Sequence, residues 1–268
     1  MKILRVMRGF IRQGIQVKTT YGMAYAMRLV NVFVKMVAFY VLWSVLYESA
    51  PGAFPVSQVE MVTYGAVSVM LGEFIQWWDG PHFYIITQIR RGTITSDLVR
   101  PVYFPFQVFS RCLGESLAEF ITVVFPAALV AYLVLPISLP ATLTQGLYFA
   151  LSLVQSYLIL FGLNCLVGFI GFYTLSLRGI QHAYHGLIML LSGAWVPLWF
   201  FPSWLRQVAE VLPFRGLFFT PLSIYIGELQ GQSIAGTLLS QTVWIVILLL
   251  GVGLAWRVVH SRLVVQGG

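Results

Sequence analysis

No Asp, Glu, Lys or Arg occurs between Glu119 and Arg178, nor between Glu228 and Arg257. Uncharged apolar runs of this length are what lipid, rather than water, selects. A backbone in hydrocarbon must satisfy its own hydrogen bonds, which only helices and closed barrels achieve. Barrel strands alternate in short segments, whereas these runs are continuous. An all-α polytopic membrane protein is therefore expected. The composition agrees, with 59% of the 268 residues hydrophobic and only 9% charged, against roughly 25% charged in a typical soluble domain.

Six spans fit the pattern, at roughly 26–47, 58–78, 105–135, 143–171, 181–200 and 240–259. The fourth and sixth are plain. The first two carry Asn31, Lys35, Glu60 and Glu73, and the third is too long for a simple crossing. Cationic residues set orientation. Lys2, Arg5, Arg8, Arg12, Lys18 and Arg28 precede or open the first span, and Arg90, Arg91 and Arg100 separate the second from the third. Arg178 separates the fourth from the fifth, and Arg257 and Arg262 follow the sixth. Both termini are thus expected in the cytoplasm. The net charge of +7 is spread over the ends of the apolar runs, which argues against nucleic acid as a partner.

Residues 1–24 read as an interfacial amphipathic helix, with Ile3, Leu4, Met7, Phe10 and Ile11 opposite Arg5, Arg8 and Arg12. The first 25 residues lack a continuous apolar core and a small-residue cleavage site, so no cleavable leader is expected. Cys112 and Cys165 lie inside apolar runs and read as packing residues. His182 and His185 have no ligand partners at metal spacing and read as interfacial. A single membrane domain, 1–268, is expected.

Two polar interruptions stand out. In 82–100, Tyr84, Ile85, Ile86 and Ile89 form a stripe that Arg90 and Arg91 end, and Gly92 sits where a C-cap favours positive φ. Thr95, Ser96 or Asp97 then offer a cap for a further turn through Leu98 and Val99, before Pro101 and Pro105. The reading is a short helix lying across the cytoplasmic membrane surface. In 201–236, Trp204, Leu205, Val208 and Leu212 share a face of a short helix between Pro202 and Pro213, with Arg206, Gln207 and Glu210 opposite. An aromatic interfacial belt and a bent, re-entrant gate are both compatible with it.

Within the spans, Arg111, Glu115 and Glu119 recur every four residues, and Glu73 ends the second span at the same side. Lone charges there are costly, so an ion-pair network or a wet vestibule is expected. Lys35 is expected to snorkel to the surface, with pairing to Glu60 as the alternative. The chain has no G-x-x-x-x-G-K-[ST], G-x-S-x-G or H-E-x-x-H motif, so catalytic work on its own is not expected.

The stretch "RGTITSDLVRPV", Arg91 to Val102, resembles the loop after the second span of permeases of the ABC-2 class of ATP-binding-cassette exporters, through Gly92-Thr93-Ile94, Leu98-Val99 and Pro101. Arg90 and Arg91 stand where acidic residues are common in that class. The stretch Ser192 to Glu228 is similar to the end of the fifth span and external segment of the same class, through Gly193, Pro197, Pro202, Trp204-Leu205 and Leu212-Pro213. The resemblance implies a non-enzymatic transport subunit of a bacterial cytoplasmic membrane that binds no cofactor itself. Two copies of an ABC ATPase would carry ATP and Mg. A second six-span permease, related but distinct or else an identical copy, would complete the pathway among membrane lipid. It also implies a coupling helix formed by Ile89, Arg90, Arg91, Gly92, Thr93, Leu98, Arg100 and Pro101, and an external gate of Pro197, Pro202, Trp204, Leu205, Leu212 and Pro213. The cargo would be amphipathic: a lipid, glycolipid, peptide or hydrophobic natural product. The rival readings are an ion-coupled secondary transporter relaying through Lys35, Glu60, Glu73, Glu115 or Glu119, and a membrane-embedded lipid-modifying enzyme.

Overall fold

The structure, a computed structural model, describes residues 2–19, 22–174, 178–229 and 232–266. It is all-helical, with no strand among the described residues. In chain order the α-helices are α1 (Lys2–Thr19), α2 (Gly22–Ser49), α3 (Gln58–Ile75), α4 (Pro81–Arg90), α5 (Ile94–Leu98) and α6 (Phe104–Glu119). Then follow α7 (Phe125–Val134), α8 (Leu143–Ile170), α9 (Arg178–Leu191), α10 (Ser203–Val211), α11 (Phe219–Tyr225) and α12 (Gln232–Gln266). A π turn, Phe120–Val124, joins α6 to α7 without a break in direction. Pro126 explains it. Proline cannot donate to the carbonyl four residues back and its ring crowds that carbonyl, so the preceding turn widens and the Phe125 amide bonds to Phe120 instead.

Four helical stretches are long and apolar enough to cross a membrane: Ala26–Ser49, Phe104–Val134, Leu143–Ile170 and Gln232–Ser261. Their exposed side chains are themselves apolar. On α12, Val243, Val246, Ile247, Leu250, Leu254 and Val258 face outward along one stripe. Water would not tolerate such a surface, whereas lipid does. α8 occupies the middle of the bundle, with 61% of its most apolar window buried against 22% for α2 and α12.

The expected second and fifth spans are shorter helices. α3 starts from a capping box, in which Ser57 and Glu60 bond each other's backbone amides. It stops at Gln76, whose backbone is left-handed (φ 54). It is buried along most of its length, so its neighbours rather than lipid shield it. The expectation of one helix over 181–200 is corrected: α9 ends at Leu191, and Gly193 turns the chain with φ 77.

The apolar stripe of α4 finds its partner within the chain, packing along the last turns of α8. A Cβ on Gly168 would come within 3.1 Å of His82 Cα, and one on Gly80 within 2.4 Å of the Asn164 amide. A second core forms here, from Ile85, Ile94, Phe104, Val108, Phe169 and Trp256 together with the two free, buried cysteines.

α1 is amphipathic, as its sequence implied, but its apolar side is occupied: it packs along α6. The helices cross at paired glycines, where a Cβ on Gly14 would lie 2.2 Å from the Arg111 carbonyl oxygen and one on Gly114 2.2 Å from that of Ile11. Backbone contact this close leaves no room for a side chain. An isolated helix of this size is marginal without tertiary support. Gly114→Leu should therefore release α1, raising amide hydrogen exchange in residues 5–17 by at least tenfold. Gly9→Leu, where a Cβ meets nothing within 4 Å, should leave exchange unaltered. Equal protection in both variants would contradict the crossing.

Candidate functional site

The polar interruption after α3 forms a compact knob. Gly92 adopts φ 68 after α4, as its position suggested, and lets the chain reverse into α5. Thr95, Ser96 and Asp97 lie within α5 instead of capping it; Thr93 precedes it without a side-chain cap. Asp97 is the knob's anchor. It accepts from the Tyr84 hydroxyl at 2.5 Å and faces Arg100 at 3.7 Å. The Arg111 guanidinium lies 4.3 Å over the Tyr84 ring, and its Nε donates to Glu115 Oε1 at 3.1 Å. Gln107 Nε2 donates to the carbonyls of Val102 at 2.7 Å and Asp97 at 3.2 Å. Arg100 reaches back to the Phe10 ring of α1 at 5.5 Å. Burial, reinforced by Asp97, pushes the Tyr84 phenol well above its usual range, so it remains a donor to the carboxylate throughout the physiological pH range.

These ties turn some side chains inward and leave others out. Arg90, Arg91, Gly92, Thr93, Arg100 and Pro101 are exposed, and Ile89 is half-buried. Leu98, expected on the outer surface, packs onto the second core, while Val99 is 84% exposed. The free surface is thus a lone valine among arginines, held on a rigid base.

The charges of the bundle separate into distinct pairs. Arg111 and Glu115 form one pair. Glu119, fully buried, binds Arg28 at 2.8 Å, and the same arginine bonds Asp79 at 2.9 Å. Glu73 pairs with Lys35 at 3.1 Å. Lys35 therefore neither stands alone nor meets Glu60, whose carboxylate closes the α3 cap. Arg28 and Lys35, seven residues apart, share a face of α2 and meet acids spaced six apart, Glu73 and Asp79. That match was the available signal, but sequence reading treated Arg28 only as a topology marker and passed over Asp79.

The Lys35–Glu73 pair lies at the edge of a groove of about 410 Å³ between α2, α3 and the chain after α9. Phe39, Leu42, Trp43, Trp77, Trp195 and Phe218 line it. Its volume falls in the range of small-molecule sites, roughly 300–1,000 Å³, and its walls are apolar with few polar groups. Nothing in the sequence marked it, because its walls come from three separate segments.

The chain between α9 and α12 folds into the bundle, and side chains satisfy its irregular backbone. Tyr64 and Ser68 of α3 donate to the carbonyls of Gly193 and Ala194, each at 2.7 Å. Ser156 and Gln241 both donate to Gly216 O at 2.8 Å, and Gln145 Nε2 donates to Ile224 O and Tyr225 O. Ser156 lies thirteen residues into α8 from Leu143, or roughly 20 Å along its axis, so the segment penetrates deeply. Pro197 precedes a 3₁₀ turn, Pro202 precedes α10, and Pro213 opens a second 3₁₀ turn. The α10 face differs from its helical-wheel reading. Leu205, Ala209 and Leu212 turn inward, whereas Trp204 and Val208 remain 65% and 47% exposed. Trp43 stacks on Phe200 with centroids 5.4 Å apart, and Tyr64 and Phe219 flank Trp199. His185 stacks on Trp78. Among the described residues, no group of His, Cys, Asp or Glu is placed to hold a metal ion.

Residues 33–267 match the family model described as ABC-2 family transporter protein. No curated protein matches the chain.

Proposed function

The chain belongs to the ABC-2 transporter family, and from that premise we propose that it is the membrane-spanning half of an ATP-driven exporter. It is an integral membrane permease, a transport subunit rather than an enzyme. In this reading α3 and α9 complete six crossings, and both termini and the α4–α5 knob face the cytoplasm. A separate ABC ATPase, in two copies carrying ATP and Mg, seats against the knob. A second permease, related but distinct, closes the pathway from the other side within a bacterial cytoplasmic membrane.

One observation carries the reading: the exposed tip of α5 is bound by side chains to α4, α6 and α1. A push on Val99, Arg91 and Arg90 passes to Asp97, then through Tyr84 to Arg111, and so into the continuous helix that runs from α6 through the π turn into α7. A loop without those ties would deform instead. The aromatic groove beside Lys35 and Glu73 supports an amphipathic cargo, with room for an apolar body and a polar end. The packed segment containing Pro197, Trp204, Leu205 and Pro213 would be the outer gate. Its backbone is held by a few side-chain hydrogen bonds that a rocking motion can exchange.

Gentle detergent purification of the tagged chain from its native membrane tests the reading. An ABC ATPase and a second permease should co-purify and be identified by mass spectrometry. Repeated recovery of the chain with neither would end it.

A further inference from the structure

A cleft of about 230 Å³ opens between α10, the Pro213 turn, α11 and the first half of α12. It is separate from the α4–α5 knob and from the groove beside Lys35. Unlike that groove it is lined with polar groups: Glu210, Arg215, Thr220, Thr237 and Ser240, with Trp244 at one side. The Trp244 indole is committed to the Val211 carbonyl at 3.1 Å and the Glu210 carboxylate to Arg206 at 3.0 Å. Arg215 has no such commitment. Its Nε is sealed from solvent with no hydrogen-bond partner, and its guanidinium rests 5.5 Å from the Phe219 ring centroid. Among the described residues it forms no ion pair, and the hydroxyls of Thr220 and Ser240, which also line the cleft, have no hydrogen-bond partner there.

Arginine keeps its charge at any physiological pH and presents a planar fork of donors suited to phosphate. A half-buried guanidinium with an unmet donor calls for an anion. Arg206, which lies outside the lining, already neutralises Glu210, so Arg215 is the cleft's uncompensated charge, which disfavours a cation. A neutral sugar would leave Arg215 uncompensated. The volume lies below the roughly 300 Å³ at which sites for drug-sized ligands begin, so the cleft suits a head group rather than a whole amphiphile. Hydroxyls on two further walls suit an oxyanion with several acceptor oxygens.

We propose that this cleft is a phosphate-binding site, with Arg215 as the charged donor and Thr220 and Ser240 as neutral donors, taking either the phosphodiester head group of a lipid or free phosphate. The proposal does not rest on the pump reading, since it concerns binding alone.

The test is native mass spectrometry and titration of the full chain in detergent. The probes are dioleoyl-phosphatidylglycerol, the phosphate-free dioleoylglycerol and inorganic phosphate. Phosphatidylglycerol should bind and dioleoylglycerol should not. Arg215→Gln should weaken binding about 10- to 100-fold, the worth of a charge-assisted hydrogen bond, and Arg215→Lys should restore part of it. Gly236 lines the cleft, and a Cβ there meets nothing within 4 Å. Gly236→Phe should therefore block the site without disturbing packing or charge. Competition by inorganic phosphate supports the site and shows that it also accepts the free anion; binding of phosphate alone assigns it to the free anion. Wild-type affinity for both phosphate probes in Arg215→Gln and Gly236→Phe, or equal retention of dioleoylglycerol, overturns the proposal.

Discussion

Arg91→Glu combined with Val99→Asp is expected to reduce ATPase recovery in detergent at least tenfold, while membrane insertion and the permease's melting temperature stay unchanged. Both side chains are exposed and make no contact that holds the knob together. The double change reverses one charge and puts a carboxylate on the only strongly exposed apolar residue of α5 and its flanks. Burying an unpaired charge at an interface costs several kcal/mol, enough to empty a micromolar complex. Leu98→Asp is the control with a different signature. Leu98 packs on the core of Ile85, Ile94 and Trp256, so that variant should also lower thermal stability. Full ATPase recovery with Arg91→Glu/Val99→Asp would refute docking at this surface.

Removing Arg28 should be the most damaging single change among the ion pairs. Glu119 is fully buried beside it, and Asp79 shares the same guanidinium. Stripping a buried carboxylate of its cation costs about 3–5 kcal/mol, because the desolvated charge remains. Arg28→Met should lower the denaturation midpoint accordingly, and adding Glu119→Gln should recover at least half of the loss. Lys35→Met provides the scale. Its pair with Glu73 is more open, with side chains 45% and 21% exposed, and such pairs contribute about 0–1 kcal/mol. Comparable losses from Arg28→Met and Lys35→Met would show that burial does not set the worth of these pairs.

Much of the local structure could be read from the chain. The apolar runs located α2, the joined α6–α7, α8 and α12 to within a few residues, apart from the two ends of α12, which extends further both ways. Gly92 took the left-handed conformation expected after Arg91, and Pro105 stands in the first turn of α6. Pairwise relations were not readable in the same way. Glu73, Arg111, Glu115 and Glu119 looked like one cluster, yet only Arg111 and Glu115 pair with each other, while Glu119 and Glu73 take their partners, Arg28 and Lys35, from α2. Periodicity fixes the angle between residues on one helix. It does not fix which neighbour that helix turns towards.

The difficulty is greater in lipid than in water. For a soluble helix the apolar face is the inward face. Here lipid is as apolar as the protein interior, so hydrophobicity cannot tell the two apart. Hence the sequence put Trp204, Leu205, Val208 and Leu212 on one face of α10, of which only Leu205 and Leu212 turn inward, and put Leu98 on the coupling surface, where Val99 stands instead.

By itself the sequence determined that the chain is a helical membrane protein, and where most helices begin and end, because backbone satisfaction, caps, glycine and proline act within a few residues. Tertiary structure alone decided the glycine crossing of α1 with α6, the division of charges into pairs, and the phosphate-sized cleft around Arg215. Each of these joins segments far apart in the chain, through short-range contacts that no local pattern encodes.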